Sequence, residues 1–121
     1  MEELINIGNQ HFYYSTVDQI EDDCALKESC AIIIDDFLLE ELLGKGFTMI
    51  GKNVNQIIII SENVNKALSQ LIGKDVLLLS AGSLKEAIGI AVLGEDLNKH
   101  IICIPKEDKD GAKSIVELLS V

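Results

Sequence analysis

Four short aliphatic runs recur along the chain, and segments with helical features lie between them. Every position in these runs is apolar, whereas a strand with one face in water alternates apolar and polar residues. Such runs are typical of strands buried on both faces, as in a parallel sheet covered by helices. The runs are Ala31–Ile34, Ile57–Ile60, Val76–Leu79 and Ile101–Ile104. We therefore predict an α/β fold with a mostly parallel sheet.

The boundaries of the predicted elements follow from caps and breakers. The predicted strands are Cys30–Ile34, Gln56–Ile60, Asp75–Leu79 and Ile101–Ile104, with a brief further strand at Phe47–Ile50. Apolar residues three and four apart predict helices over 37–43, 64–72 and 112–119. Asp35 or Asp36 would cap the first helix, and Asp108 or Asp110 the last.

Alternation of strands and helices predicts a small three-layer αβα sandwich. This arrangement is similar to flavodoxin-like and Rossmann-like folds. The 121 residues suit a single domain, 1–121, with a less regular N-terminal segment over 1–29 and a core over 30–121.

Three segments are open to alternative interpretations. Ile5–Tyr14 fits a hairpin that turns at Gly8–Asn9, but a short helix over Glu2–Ile7 fits almost as well. Ser83 and Glu86 form an S-x-x-E capping box, so a helix begins there. That helix either continues to residue 98 or ends at Gly89, in which case 90–93 would form an antiparallel hairpin with the last strand. Val17–Glu28 fits a loop or a frayed helix.

The charged residues limit the classes of molecule that the protein is expected to bind. The chain has 20 acidic residues, ten lysines and no arginine, for a formal net charge of −10. Nucleic acids and anionic membrane surfaces require basic faces, so neither is an expected partner. Without arginine, any anionic ligand would depend on backbone amides, hydroxyls or lysine.

The same composition suggests the compartment. No stretch reaches the roughly 18 apolar residues that cross a bilayer, and the first residues are acidic where a signal peptide is basic. Three cysteines suit a reducing environment. We expect an acidic cytoplasmic protein.

Candidate ligand-binding residues follow the predicted strands, because ligands of open parallel sheets bind beyond the carboxyl ends of the strands. A phosphate or nucleotide could be held by helix-start amides in the serine–glycine turn. Helix capping alone also explains Asp35 and Ser83. Neither G-x-G-x-x-G nor G-x-x-x-x-G-K-[ST] occurs. The candidates are Asp35, Asp36, Ser61, Ser80, Gly82, Ser83 and Lys106.

The layout of residues 30–119 resembles that of response-regulator receiver domains. An acidic pair, Asp35–Asp36, follows the first buried strand, Ser80–Ala81 follows a later one, and Lys106 follows the last. In that family the acidic pair binds Mg²⁺ and a separate aspartate accepts the phosphoryl group. Ser61 stands where that aspartate belongs, and Pro105–Lys106 reverses the family's lysine–proline order. The resemblance therefore carries over no phosphotransfer chemistry.

No other pattern predicts catalysis, a metal or a cofactor. His11 and His100 are far apart and have no ligand at metal-binding spacing, and the acidic loops lack the EF-hand pattern. Cys30 and Cys103 fall in predicted strands, where cysteine behaves as a small hydrophobe. Cys24 stands among acidic residues, which blunt a thiol's reactivity.

A second apolar face on the helix over 84–98 points to association. Ile90, Leu93 and Leu97 would lie opposite the face that covers the sheet, so this helix needs a partner, most simply a second copy of the chain. Our leading interpretation is a non-catalytic module, a homodimer or a regulatory subunit. The alternative is a small-molecule-binding protein or enzyme that uses the crevice at the strand ends.

Overall fold

A computed structural model of the chain describes residues 2–25, 29–44, 53–61, 76–93 and 100–118. The strands are β1 (Glu2–Ile7), β2 (Gln10–Tyr14), β3 (Cys30–Asp35), β4 (Val54–Ile60), β5 (Leu77–Ala81) and β6 (His100–Ile104). The helices are α1 (Ile20–Ala25), α2 (Asp36–Gly44), α3 (Leu84–Leu93) and α4 (Lys109–Glu117). The helix predicted over 64–72, the strand predicted at 47–50, and Leu97 lie outside the described residues.

The six described strands form one sheet, in the order β1-β2-β6-β3-β4-β5. The β1–β2 pair is antiparallel, and the other four pairs are parallel. The prediction of a mostly parallel α/β sheet is therefore confirmed.

The parallel strands do not lie in the sheet in the order in which they follow along the chain. Counted along the chain, the five strands from β2 to β6 lie as first, fifth, second, third and fourth. Flavodoxin and receiver domains place them as second, first, third, fourth and fifth, and the Rossmann order also differs. The receiver-like layout of the sequence therefore does not extend to the strand order.

Two hydrophobic clusters occupy opposite faces of the sheet, because alternate residues of a strand point to opposite sides. In β3, Ile32 and Ile34 belong to the first cluster, and Ala31 and Ile33 to the second. Ile20 of α1 and Leu39 of α2 join the first cluster. Helices α3 and α4 supply the second cluster with Leu84, Ala87, Ile88, Ala91, Ala112 and Val116. Helices therefore cover both faces of the sheet.

Strand β5 is less buried than the strands that the other apolar runs form. The aliphatic side chains at the centres of β3, β4 and β6 are buried on both faces, as predicted, but Leu77 of β5 is 47% exposed. Strand β5 pairs with β4 and with no other described strand, so it lies at the edge of the described sheet. It also runs two residues later than predicted, because Ser80 and Ala81 pair with Ile59 and Ile60.

The N-terminal segment forms a hairpin, and the alternative short helix over Glu2–Ile7 is wrong. The turn lies at Gly8–Asn9, where Gly8 has a φ of 60°, a conformation that glycine adopts without strain. The second strand of the hairpin pairs in parallel with β6, and Phe12 is completely buried. Residues 20–25 of the segment interpreted as a loop or frayed helix form α1.

Residues 84–93 are helical throughout, so the alternative of a strand at 90–93 is wrong. The buried residues Leu84, Ala87, Ile88 and Ala91 follow helical spacing. None of the described helices is long and apolar enough to cross a membrane.

Candidate functional site

The predicted ligand-binding residues lie along the carboxyl edge of the sheet but do not converge. Lys106 follows β6, Asp35 ends β3, Ser61 follows β4, and Ser80 lies in β5. These four strands are consecutive neighbours in the sheet. With strands about 4.8 Å apart, the outer two candidates stand about 14 Å from each other. A ligand of only a few non-hydrogen atoms therefore contacts part of this set at most.

Asp35 has a structural task at this edge. Its side chain is buried, and Oδ1 accepts a hydrogen bond from the backbone N–H of Phe37 at 3.0 Å. This bond satisfies one of the free amides at the start of α2. Of the two predicted caps, Asp35 thus makes the bond, and Asp36 is exposed in the first turn.

Ser83 and Glu86, at the start of α3, form the hydrogen bonds of the turn that precedes this helix. The hydroxyl of Ser83 accepts from the backbone N–H of Glu86 at 3.1 Å, which confirms half of the predicted capping box. The Glu86 carboxylate accepts from the N–H of Gly82 at 3.0 Å rather than from that of Ser83. A carboxylate therefore already occupies the place where this turn would receive a phosphate, and its charge would repel one.

Ser61 and Ser80 contribute little to a shared site. The backbone N–H of Ser61 donates to the carbonyl of Ile59 at 2.9 Å, and the residue is half-buried. Ser80 is exposed within the edge strand β5, and its backbone pairs with Ile59.

Lys106 lines a cavity at this edge within the described part of the chain. The cavity has a volume of about 170 Å³ and lies where β2 and β6 end. Tyr14, Ser15, Thr16 and Glu107 also line it, and sequence reasoning named none of these four as site residues. Their grouping depends on the pairing of β2 with β6, whereas the only local signal was a run of hydroxyl residues after a predicted strand.

A larger apolar depression lies on the outer surface of α3. Its volume is about 440 Å³, and it is lined by Ile7, Glu86, Gly89, Ile90, Val92 and Leu93. Glu86, Gly89, Ile90 and Leu93 follow the spacing of one helical face, and Ile7 joins them from the end of β1. We call Ile7, Gly89, Ile90, Val92 and Leu93 the α3 patch.

The α3 patch contains two of the three residues predicted for an interface. Leu93 is 87% exposed, whereas Ile90 is half-buried. Gly89 leaves open space at the surface, because a Cβ atom added there would meet no atom within 4 Å. The patch is thus an apolar hollow with a protruding leucine.

The fold also brings together two histidines that are distant in the sequence. His11 of β2 and His100 of β6 are register partners, and their rings stack with centroids 5.7 Å apart. Nδ1 of His100 lies 3.2 Å from the Tyr13 hydroxyl, and Nδ1 of His11 lies 2.8 Å from Oδ1 of Asn6. Among the described residues, no group of three or more His, Cys, Asp or Glu side chains suits a metal ion.

The strand cysteines are inaccessible. Cys30 and Cys103 are both free thiols with no exposed surface. Burial raises the pKa of the Cys103 thiol to about 12, because the thiolate would lose its hydration. The reactive thiolate is therefore suppressed at this position.

Comparison of the chain with known protein-family models and with curated proteins found no match.

Proposed function

We propose that this protein is a non-catalytic α/β module that acts by association, and that the α3 patch joins two copies of the chain in a homodimer. The observation that carries the proposal is the two-sided character of α3. One face is buried against the sheet, and Leu93 projects from the other side with 87% of its surface exposed. Ile7, Ile90 and Val92 of the patch are partly buried and also pack on the second cluster.

Burial of this surface would supply a favourable free energy. Complete burial of one leucine side chain contributes about 1.5–3 kcal/mol. In a two-fold dimer each patch contact occurs twice, because both copies present the same surface. Leu93 of one copy would enter the hollow beside Gly89 of its partner, a fit of a protruding side chain into a depression.

Charge on the patch does not oppose this contact strongly. The chain carries a net charge of −10, so two copies repel each other at long range. Among the described residues, Glu86 is the single ionisable residue that lines the apolar depression. The described lining is thus mostly uncharged, and salt screens the long-range repulsion.

The test is the molar mass of charge-introducing variants, measured by light scattering at matched concentrations. Leu93→Glu and Ile90→Glu should each lower the mass to that of one chain. Phe37→Glu is the matched control, since Phe37 is 81% exposed and belongs to α2, on the opposite face of the sheet. Leu93→Glu with a mass identical to that of the wild type would refute the proposed interface.

The second candidate function is binding of a small molecule at the carboxyl edge. The observation that favours it is the cavity beside Lys106. Ligand-dependent stabilisation against heat tests this function: a small molecule that binds the native state raises the melting temperature. If a small molecule raised the melting temperature of the wild type and that of Lys106→Met equally, it would bind outside this cavity.

The likeness of the fold to known folds and the cellular location of the protein belong to the same proposal. Parallel strands with helices on both faces support a loose likeness to flavodoxin-like and Rossmann-like folds, with a different strand order. The acidic composition and three cysteines support a place in the cytoplasm, where we propose that the protein acts as a regulatory subunit.

A further inference from the structure

The small cavity at the carboxyl edge lies where neighbouring strands continue to opposite faces of the sheet. After β2 the chain enters α1, whose Ile20 packs on the first cluster. After the adjacent β6 it enters α4, whose Ala112 and Val116 pack on the second cluster. Loops that part in this way open a crevice between them, the usual place for a ligand in a parallel α/β sheet.

Two opposite charges line this cavity without neutralising each other. Lys106 and Glu107 are consecutive residues, yet neither forms an ion pair or side-chain hydrogen bond within the described part of the chain. Oε2 of Glu107 is buried and accepts no hydrogen bond. A buried polar atom left unsatisfied costs about 1–3 kcal/mol, so a donor that reached this carboxylate would bind favourably.

The local structure holds Glu107 in its place. Asp108 caps α4, with Oδ1 accepting from the N–H of Gly111 at 2.7 Å. A Cβ atom added at Gly111 would lie 3.3 Å from Cβ of Glu107, so the glycine leaves room for this side chain against the first turn of α4. Asp108 therefore serves the helix cap, which leaves the Glu107 carboxylate available for another partner.

The rest of the cavity lining combines hydroxyl and apolar groups. Tyr14 lines it from the end of β2, Ser15 and Thr16 from the β2–α1 connection, and Leu38 and Pro105 add apolar surface. The Ser15 hydroxyl donates to the buried carboxylate of Asp23, which fixes this segment. The lining can thus contact a short aliphatic group between two charged ends.

Size limits the ligand. A volume of about 170 Å³ corresponds to the liquid volume of about six water molecules, enough for about six to eight non-hydrogen atoms. A nucleotide is several times larger. Inorganic phosphate would fit by size, but it would face the Glu107 carboxylate, and the chain has no arginine to hold it.

We infer that this cavity binds a small zwitterionic amine, a free amino acid of the size of alanine to valine. Its ammonium group would donate to the Glu107 carboxylate, its carboxylate would pair with Lys106, and its short side chain would lie against Leu38 and Pro105. This inference rests on the second candidate function, binding of a small molecule at the carboxyl edge. It is independent of the proposed dimer, because none of these residues belongs to the α3 patch.

The test is calorimetric titration of the full chain with L-alanine and L-valine, each up to about 10 mM. We expect saturable binding by at least one of them, and much weaker binding of ethylamine and acetate, which carry one charge each. Failure of both amino acids to bind would overturn the inference, as would equal binding of ethylamine or acetate.

Variants then assign the binding to the cavity. Glu107→Gln and Lys106→Met should each raise the dissociation constant at least about tenfold. Glu41→Gln and Lys113→Met, exposed on α2 and α4, are the charge-matched controls and should leave it unchanged. Lys106 is itself exposed, so its variant is expected to fold, and circular dichroism checks both variants.

Unchanged affinity in Glu107→Gln and Lys106→Met would contradict the assignment. The Leu93→Glu chain should still bind the amino acid with wild-type affinity, which separates this outcome from that of the dimer proposal.

Discussion

Gln10 and Ala91 are 81 positions apart in the chain, and Nε2 of Gln10 donates a hydrogen bond of 2.9 Å to the Ala91 carbonyl. Ala91 lies in the last turn of α3, where helix carbonyls lack partners within the helix. The buried Gln10 side chain thus caps the end of α3 from the first residue of β2. Because the α3 patch contains residues of both β1 and α3, this bond also helps to hold the patch together.

Removal of this bond should destabilise the fold. We expect Gln10→Met to lower the free energy of unfolding by about 1–3 kcal/mol, because the Ala91 carbonyl would lose the donor that Gln10 supplies. Urea denaturation measures the change. Gln19→Met is the control, since Gln19 is exposed, and it should stay within about 0.5 kcal/mol of the wild type. Equal stabilities of the two variants would show that the bond contributes nothing.

Asp35 and Asp36 should differ sharply although they are adjacent. Asp35→Ala removes the acceptor for the Phe37 N–H and should cost about 0.5–2 kcal/mol in unfolding free energy. Asp36→Ala alters an exposed residue in the first turn and should cost a few tenths of a kcal/mol at most. Urea denaturation of both variants checks the difference. A larger loss in Asp36→Ala would contradict the assignment of the cap.

The buried thiol of Cys103 should make stability depend on alkaline pH. Its pKa is raised by burial from 9.0 to about 12, so the unfolded chain releases the proton first. The associated stability is fully present below pH 9 and is lost as the pH rises toward 12. The loss reaches at most about 1.4 kcal/mol per pH unit for one such group.

Lysine and tyrosine side chains titrate in the same pH range in both chains. The matched control is therefore Cys103→Ala, which lacks only the thiol. Urea denaturation at a series of pH values from about 8 to about 11 gives the slope for each chain. The wild type should lose stability more steeply above pH 9 than the alanine variant does. Parallel curves would mean that the thiol is hydrated in the native state.

Gly89→Ala should have opposite effects on the stability of a single chain and on its association with a second copy. A glycine within a helix costs about 1 kcal/mol relative to alanine, and an alanine here would meet no atom within 4 Å. We expect Gly89→Ala to stabilise the chain by about 0.5–1 kcal/mol, measured in a Leu93→Glu background where dimerisation is blocked. In an otherwise wild-type chain the same change should weaken association, because the methyl group partly fills the hollow.

Sedimentation velocity measures the second part of this prediction. If Gly89→Ala left association unchanged, or strengthened it, Leu93 of the partner would not occupy the hollow beside Gly89.

The interior of the fold is largely readable from the sequence, because burial leaves a strong compositional mark. Ile32, Ile33, Ile57 and Ile58 have neighbours on both faces of the sheet, so every position is aliphatic. The same kind of run at Leu77–Leu79 belongs to a strand at the edge of the described sheet, with a partly exposed leucine. A run of apolar residues thus reports burial but not the number of neighbouring strands.

The candidate sites were less predictable, because they depend on which strands are neighbours. The α3 patch was foreseeable from helical spacing at Ile90 and Leu93, but the contribution of Ile7 required the hairpin to lie beside α3. The grouping of Thr16 with Glu107 and the stacking of His11 on His100 both follow from the parallel pairing of β2 with β6. No local pattern encodes that pairing.

The most direct test of the central claim is sedimentation equilibrium of the wild-type chain from about 1 µM to about 500 µM, in about 0.3 M salt to screen the net charge. The account predicts that the mass rises with concentration from 13.2 kDa toward twice that value, while Leu93→Glu stays at the mass of one chain. A wild-type mass that remains at 13.2 kDa over the whole range would contradict the account.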